Sequence, residues 1–360
     1  MKLIHCGDIH LDSKMKTSLS RELAKERRSE ILLTFSKMVE FAASNDVKVI
    51  LIAGDLFDTD MVTKNTKNVV RNAILNNPQI DFLYLKGNHD KENFLGDFET
   101  LPENLKLFGE KWCSYDYGDL SITGVELSPI NRNGIYGTLK LERDRLNIVV
   151  LHGQDSPYAG KDDAETIPMT ELRNKNIDYL ALGHIHKYKT ETLDSRGTYC
   201  YCGCLEGRGF DECGPKGFVL LDTEKGSIEH LFMPFARRTF SEIQVDISGA
   251  GTTVQVADAM NQELANLPRD GFVKIVLVGR VDLDAERNLG YLKKKFDDLY
   301  YSVRISDQTK LTINAESLKY DVSLKGEFIR YVISQNFPED KEKGVIEAGL
   351  KALAGEELEL

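Results

Sequence analysis

In the stretch Leu51-Ile52-Ala53-Gly54-Asp55-Leu56-Phe57-Asp58, an apolar run that begins at Val49 ends at Ala53, and a glycine and a carboxylate follow at once. A short apolar run bounded by a turn residue reads as a buried strand. A carboxylate just past the carboxyl end of such a strand stands where open α/β sheets hold their ligands. The expectation is that Asp55 bridges a two-metal site. Four other stretches repeat the arrangement of apolar strand and polar cluster, and each carries metal-ligand residue types.

Strand 2–6 leads to Asp8 and His10, strand 48–53 to Asp55 and Asp58, and strand 80–86 to Asn88, His89 and Asp90. Strand 146–151 leads to His152, and strand 177–182 to His184 and His186. Five of the seven histidines fall in these clusters. Taken singly, each has an ordinary explanation: Gly-Asn-His-Asp is a good turn, and Gly-His-x-His is more often a structural pair. Taken together they all project from one sheet edge, where so many histidines and carboxylates would repel and desolvate one another without cations. Mixed nitrogen and oxygen donors favour manganese, iron or zinc over calcium or magnesium. Two such ions, roughly 3.5–4 Å apart, can share a carboxylate, clamp an in-line displacement at phosphorus and lower the pKa of bound water toward ~7.

Between the clusters the periodicity predicts helices over 21–44 and 64–76, strands and turns over 105–126, and a loop with a short helix over 127–140. Loop 155–166 precedes a short helix near Pro168. The apolar face of 21–44 carries Ile31, Phe35, Met38, Val39 and Ala42. Its other face carries Arg21, Lys25, Arg27, Arg28 and Lys37 and reads as solvated. Segments 188–193, 197–202, 217–222 and 226–233 read as antiparallel strands. A first domain is expected over 1–235. A small α+β domain over 236–310 follows, with strands 240–247, 272–278 and 301–306 and helices 252–266 and 285–299. Residues 316–335 and 340–353 read as two amphipathic helices forming a C-terminal segment, 316–360. One stripe carries Leu324, Phe328, Ile329, Val332 and Ile333, the other Val345, Ile346, Leu350 and Leu353.

The 360 residues are 41% hydrophobic and 29% charged, with a net charge of −11. That is a globular profile with enough apolar material for a sizeable core. The acidic balance excludes a chain that coats nucleic acid over its whole surface. It leaves room for a nuclease, because two divalent cations add positive charge where a phosphate binds. No apolar run approaches the ~18 residues of a membrane helix, and the N-terminal stretch lacks signal-peptide features, so a cytoplasmic protein without membrane association is expected. The six cysteines are then expected to be reduced. Cys200, Cys202, Cys204 and Cys213 invite a zinc reading, but C-x-C-x-C is not a paired knuckle, and small buried hydrophobes are the favoured reading.

The motifs D-x-H, G-D-x-x-D, G-N-H-D, H-G and G-H-x-H, in this order, resemble the calcineurin-like metallophosphoesterase superfamily over roughly residues 1–235. That resemblance implies a sandwich of two mixed β-sheets flanked by helices. It implies one metal on Asp8, His10, Asp55 and His186, and a second on Asp55, Asn88, His152 and His184. His89 becomes the catalytic histidine at the leaving oxygen, and Asp58 the residue that orients it. Within the superfamily, Ile4 to Asp12, Gly54 to Asp58, Gly183 to His186 and the run Tyr201 to Glu212 are most similar to SbcD-type DNA exonuclease subunits. Asp58 stands where eukaryotic and archaeal relatives carry histidine, which leaves the leaving-group role to His89 alone.

This level of resemblance implies a Mn²⁺-dependent DNA exonuclease and endonuclease of a repair complex, with 236–310 in the place of a DNA-capping domain. It implies a homodimer and a separate SMC-like ABC ATPase (SbcC-type) partner. The chain itself has no Gly-x-x-x-x-Gly-Lys-Ser/Thr loop. The C-terminal helices are the candidate docking element, packing on their own domain being the alternative. Arg132, Lys161, Lys187 and Arg208, in loops near the clusters, are expected to guide the DNA backbone. Two rivals remain: a phosphatase or small-nucleotide phosphodiesterase with the same ligands, and a non-catalytic scaffold that senses DNA ends.

Overall fold

The computed structural model describes residues 1–360 except 16–18, 59–61, 91–93, 99, 133, 157–165, 225, 283–284, 313–321 and 355–360. The chain divides into two compact units, Met1–Ser241 and Glu242–Leu360.

In the first unit, β1 (Lys2–Cys6), β2 (Val47–Ala53), β3 (Asp81–Leu85) and β4 (Leu105–Leu107) run parallel in one sheet. A second sheet is built on β5 (Cys113–Tyr117), β6 (Leu120–Gly124), β7 (Leu146–His152), β10 (Tyr179–Gly183), β11 (Lys189–Thr192) and β12 (Thr198–Tyr201), with β6, β7, β10 and β12 parallel. Antiparallel β13 (Gly217–Asp222) and β14 (Glu229–Pro234) complete the first sheet, and β5 and β11 edge the second. Both sheets are therefore mixed.

The central strands β1, β2, β3, β7 and β10 are largely apolar because both faces are covered. Side chains alternate in direction. Leu3, Val49, Leu51 and Leu83 meet Ile122, Ile148, Val150 and Ala181 between the sheets. Ile4, Ile50, Ile52 and Phe82 turn outward onto Ile31, Phe35 and Met38 of α1 (Arg21–Ser44) and Val70 and Ile74 of α2 (Lys64–Leu75). On the far side, Val149, Leu151, Leu180 and Leu182 pack on Ile167, Met169 and Leu172, the last two from α3 (Met169–Leu172). Cys200 and Cys202 belong to the inter-sheet core, and all six cysteines are free.

Helix α1 begins where Ser20 accepts a hydrogen bond from the Leu23 N–H, and α2 where Thr63 accepts one from Thr66. The stretch read as a loop over 155–166 contains, at its described ends, a short parallel pair: β8 (Gln154–Ser156) and β9 (Thr166–Pro168).

One expectation is overturned. Arg27 does not lie on a solvated face: its side chain is 0% exposed. It pairs with Glu206 and with Glu30 (2.9 Å) and donates to the Gly207 carbonyl (2.9 Å). Thr34 donates to Glu206 (2.6 Å), and Arg237 and Arg238 each donate to Glu30 (2.8 Å). Helical spacing marks which face a residue occupies, but a carboxylate arriving 179 positions later leaves no periodic trace. A carboxylate's lone pairs so fully engaged make the burial tolerable; removing one partner strands the others.

In the second unit, β15 (Phe240–Asp246, entering from the first), β16 (Phe272–Val278) and β18 (Ser302–Asp307) form a sheet. Strands β16 and β18 run parallel, joined through α5 (Leu289–Asp297). Val245, Ile275 and Val303 pack against Val256 and Met260 of α4 (Thr253–Leu264) and Leu292 and Phe296 of α5. A second parallel pair, β17 (Arg280–Asp282) with β19 (Lys310–Thr312), was not anticipated. Helices α6 (Leu324–Ser334) and α7 (Glu339–Ala354) pack on each other through Ile329, Val332, Ile346 and Leu350. Residues 316–321 of the expected first helix lie outside the described residues. No helix among the described residues is long and apolar enough to cross a membrane.

Replacing Arg27 with Ala leaves Glu206 and Glu30 buried and underpaired, and is expected to lower unfolding free energy by about 3–5 kcal/mol in urea denaturation. A loss below about 1 kcal/mol would mean that the network is dispensable.

Candidate metal centre

The carboxyl ends of β1, β2 and β3 from one sheet and of β7 and β10 from the other open onto a common edge. The first two loops are zipped together by backbone. Asp8 N–H donates to Gly54 O (3.0 Å), His10 N–H to Asp55 O (3.0 Å), Leu11 N–H to Leu56 O (2.9 Å) and Asp58 N–H to Leu11 O (3.1 Å). Asp90 fastens the third loop: its carboxylate accepts from Gly87 N (3.0 Å), Leu56 N (3.2 Å) and Phe57 N (2.9 Å). Burial raises the Asp90 carboxyl to about 6. This residue, counted among the ligand types from sequence, is spent on the backbone.

Four expected ligands hold their backbone in the left-handed region: Asp8 (φ 48°), His10 (50°), Asp55 (51°) and His184 (97°). Such conformations carry strain that the surroundings must impose. Gly54 (φ 90°) makes room for a ligand, since a Cβ there would lie 2.2 Å from His152 Nδ1.

The side chains converge. His152 Nδ1 lies 2.9 Å from the Ala53 carbonyl, which can only accept, so Nε2 is the atom turned to the site. It stands 3.4 Å from Asp55 Oδ2 and 3.0 Å from Asn88 Oδ1. The same Asp55 oxygen is 3.7 Å from His10 Nε2. His10 Nε2 faces His186 Nε2 at 3.1 Å, and His186 Nε2 is 3.8 Å from Asp8 Oδ1. Behind them, His10 Nδ1 lies 2.9 Å from Asp58 Oδ1 and His186 Nδ1 lies 2.7 Å from Glu212 Oε1. Among the described residues, Asp8, His10 and His186 form one group able to hold an ion, and Asp8, Asp55 and His152 another. A third, His10, Asp58 and His89, lies alongside.

The donor chemistry fits cations. A carboxylate can only accept, so the 2.7 Å contact with Glu212 places a proton on His186 Nδ1 and leaves its Nε2 to face that of His10, whose Nδ1 lies beside Asp58. Burial lowers His10 to about 4, so its ring gains no proton at neutral pH. Burial also lifts Asp8 to about 6. At His152 burial opposes protonation, but the Asp55 contact outweighs it and holds the imidazole at about 9. Burial likewise opposes ionisation of Asp55, and the His152 contact outweighs it, keeping that carboxyl well below its usual range. Positive charge is called for at this point.

Not every expected residue takes its expected place. Asp58, expected to orient His89, lies closer to His10; its distance to His89 Nδ1 is 3.6 Å. Burial raises Asp58, yet the His10 contact prevails and holds it at about 2. His184 donates its backbone N–H to both Asp8 oxygens (2.9 Å each) and sets its ring edge-on to His152 at 5.3 Å. His89 is held by its N–H on Asp55 Oδ1 (2.9 Å) while its side chain is 47% exposed, with its ring 5.0 Å from that of His10. Arg208, expected to meet DNA, is turned to Asp58 and Glu212. Lys187 is exposed, Arg132 is half-buried and donates its N–H to Ser128 O (3.1 Å), and Lys161 lies outside the described residues. Glu212 was given no role from sequence. Its only signal was an acid following an arginine in a glycine-rich stretch.

Residues 1–188 match the calcineurin-like phosphoesterase family. The chain belongs to that family. It is a metal-dependent phosphoesterase; the family uses a dinuclear metal site, and the groups above are candidate donors for one. Relatives include the DNA double-strand break repair protein Mre11 of Haloferax volcanii, 28% identical over 69% of this chain and 55% of that protein. Mre11 of Methanosarcina acetivorans is 25% identical over 74% of this chain and 44% of its own length. The uncharacterized metallophosphoesterase YhaO of Bacillus subtilis is 25% identical over 78% and 72%. The chain thus spans about half the length of the repair proteins it matches.

Gly54→Ala is expected to displace the His152 ring and weaken cation binding on that side by at least about tenfold, with little loss of far-ultraviolet ellipticity. Titration calorimetry with Mn²⁺ measures it; a wild-type isotherm would remove Gly54 from the design of the site.

Proposed function

We propose that this phosphoesterase is a DNA nuclease subunit of a double-strand-break repair complex, cutting phosphodiester bonds exonucleolytically and endonucleolytically with Mn²⁺. The observation that carries the phosphoester chemistry is Asp55 Oδ2 standing between His10 Nε2 and His152 Nε2, with the exposed His89 imidazole beside them. Asp8, His10, Asp55 and His186 would hold one cation, and Asp55, Asn88, His152 and His184 the other. When bound, the pair supplies Lewis acidity at the phosphate and a lowered pKa for water. The chain's own residues do the rest. Asp55 is fixed by the His89 N–H. The His89 ring, outside the donor layer, is open to a leaving oxygen, where it would deliver a proton. That exposure also speaks against a pure scaffold.

The repair proteins among the relatives support DNA as substrate, and the shared donor set alone would serve a phosphatase equally well. A separate SMC-like ATPase is the proposed partner. After α6 and α7 have packed on each other, Leu324, Tyr331 and Leu353 remain exposed. A homodimer through the first unit's helices is supported by exposed Leu33 and Leu75. Residues 236–310 are proposed to cap DNA, and the protein to work in the cytoplasm.

End-labelled linear DNA with Mn²⁺ tests the proposal, run beside bis-p-nitrophenyl and p-nitrophenyl phosphate. DNA and the diester are expected to be cut. His89→Ala should be slower by about 10²–10⁴, and Asp55→Ala inactive. Hydrolysis of the monoester without DNA cleavage would replace the nuclease with a phosphatase.

A further inference from the structure

Arg208 was expected to reach outward to a nucleic-acid backbone. Its guanidinium instead closes a ring behind two of the donor histidines. Nη1 donates to Asp58 Oδ1 (3.1 Å). Nη2 and Nε donate to Glu212 Oε1 (2.8 and 3.1 Å), and the Arg208 backbone N–H donates to Glu212 Oε2 (2.7 Å). Asp58 lies against His10 Nδ1 and Glu212 against His186 Nδ1, at 2.9 and 2.7 Å. The two Nε2 atoms then meet at 3.1 Å. Arg208 Nη2 is also 3.1 Å from His186 Nδ1, because both donors share the same Glu212 oxygen. The Arg208 side chain is only 18% exposed, and Lys216 Nζ holds the His186 carbonyl from the other side (2.7 Å).

We infer that Arg208 and Glu212 are positioning residues for one half of the metal centre. They fix the His186 and His10 rings with Nε2 inward before a cation arrives, and Arg208 does not serve as a nucleic-acid contact. The inference rests on the two-cation reading of the site. Three features carry it. A planar fork can hold two carboxylates at once in a fixed geometry, which a flexible ammonium cannot. A carboxylate on the outer nitrogen of a histidine sets which nitrogen is free to bind a metal. And the guanidinium offsets one of the two carboxylate charges, so that Asp58 and Glu212 are held beside the donors with a net charge of −1 rather than −2. His152 is held by a backbone carbonyl instead, so the other half of the centre does not depend on this ring.

The test is Mn²⁺ titration calorimetry on the full chain, stripped with chelator, together with long-range ¹H–¹⁵N spectra of the histidine rings. Wild type is expected to bind two cations; a wild type that binds none would remove the two-cation reading itself, irrespective of the variants. Glu212→Ala and Arg208→Met are expected to weaken one of the two binding events by about 10–100-fold and to leave the other unchanged. The His186 Nδ1–H tautomer signature should be lost in Glu212→Ala. Glu212→Gln keeps an oxygen for the imidazole proton and should recover most of the affinity. Arg208→Lys, lacking the fork, should not. Two wild-type binding events in Arg208→Met and Glu212→Ala would overturn the inference. So would equal weakening of both events with a lowered melting temperature of the chelated protein, which is the mark of a general structural role.

Discussion

Two imidazole nitrogens that point at each other across 3.1 Å are the constraint on which the site depends. Neutral rings with their protons on the outer nitrogens cannot hydrogen-bond in that arrangement. A cation held by both lone pairs makes it favourable. The geometry persists because it is over-determined from behind: Asp58 and Glu212 take the Nδ1 side, and the left-handed backbones of Asp8, His10 and Asp55 are locked by cross-loop hydrogen bonds. The strain is local and the restraint comes from the sheets. This is the preorganisation that lets a cation bind without the protein having to rearrange.

The architecture explains why so many donors reach one point. Parallel strands present all their carboxyl ends on the same side, and here two sheets stacked on a common core do so together. Asp55 leaves the middle of the first sheet, flanked by β1 and β3, and His152 leaves the middle of the second. The inter-sheet core sets the separation of these two residues, so the metal centre depends on Leu51 and Val150 as well as on its ligands. Gly54 and Gly183 mark the close approach of the two layers: a Cβ on the first would strike the His152 ring, and one on the second the Ala53 carbonyl.

What could be read from sequence follows from this. Asp8, Asp55, Asn88, His152 and His184 each follow a buried apolar run, and the run, the turn and the ligand are contiguous. Local pattern therefore located the candidate donors, the long strands of the two sheets, and helices α1 and α2. What escaped reading is what depends on pairing across the chain. Arg27 sits at a helical position that looks solvated until Glu206 is brought to it. Glu212 and Arg208 acquire meaning only beside His186 and Asp58. The preference of Asp58 for His10 over His89 is a matter of ring orientation, which spacing does not encode. The β17–β19 pair was missed for a different reason: three-residue strands are too short to show a period.

The same physics separates what is general in this chain from what is particular. A carboxylate flanked by imidazoles selects for a phosphate ester and for cations, and it does so whether the ester is large or small. Discrimination among esters has to come from groups that touch the substrate beyond the phosphate. Around this centre the cationic side chain best placed to do so by position, Arg208, is committed inward to two carboxylates. The imidazole of His89 is exposed beside His10, and Lys187 is exposed one residue after His186. With a net charge of −11, the chain as a whole does not attract a polyanion, and on the proposed nuclease reading the cations would supply the positive charge that meets the substrate. Binding of a long nucleic acid would then be coupled to metal loading, and the rings held by Asp58 and Glu212 become a determinant of substrate affinity as well as of chemistry.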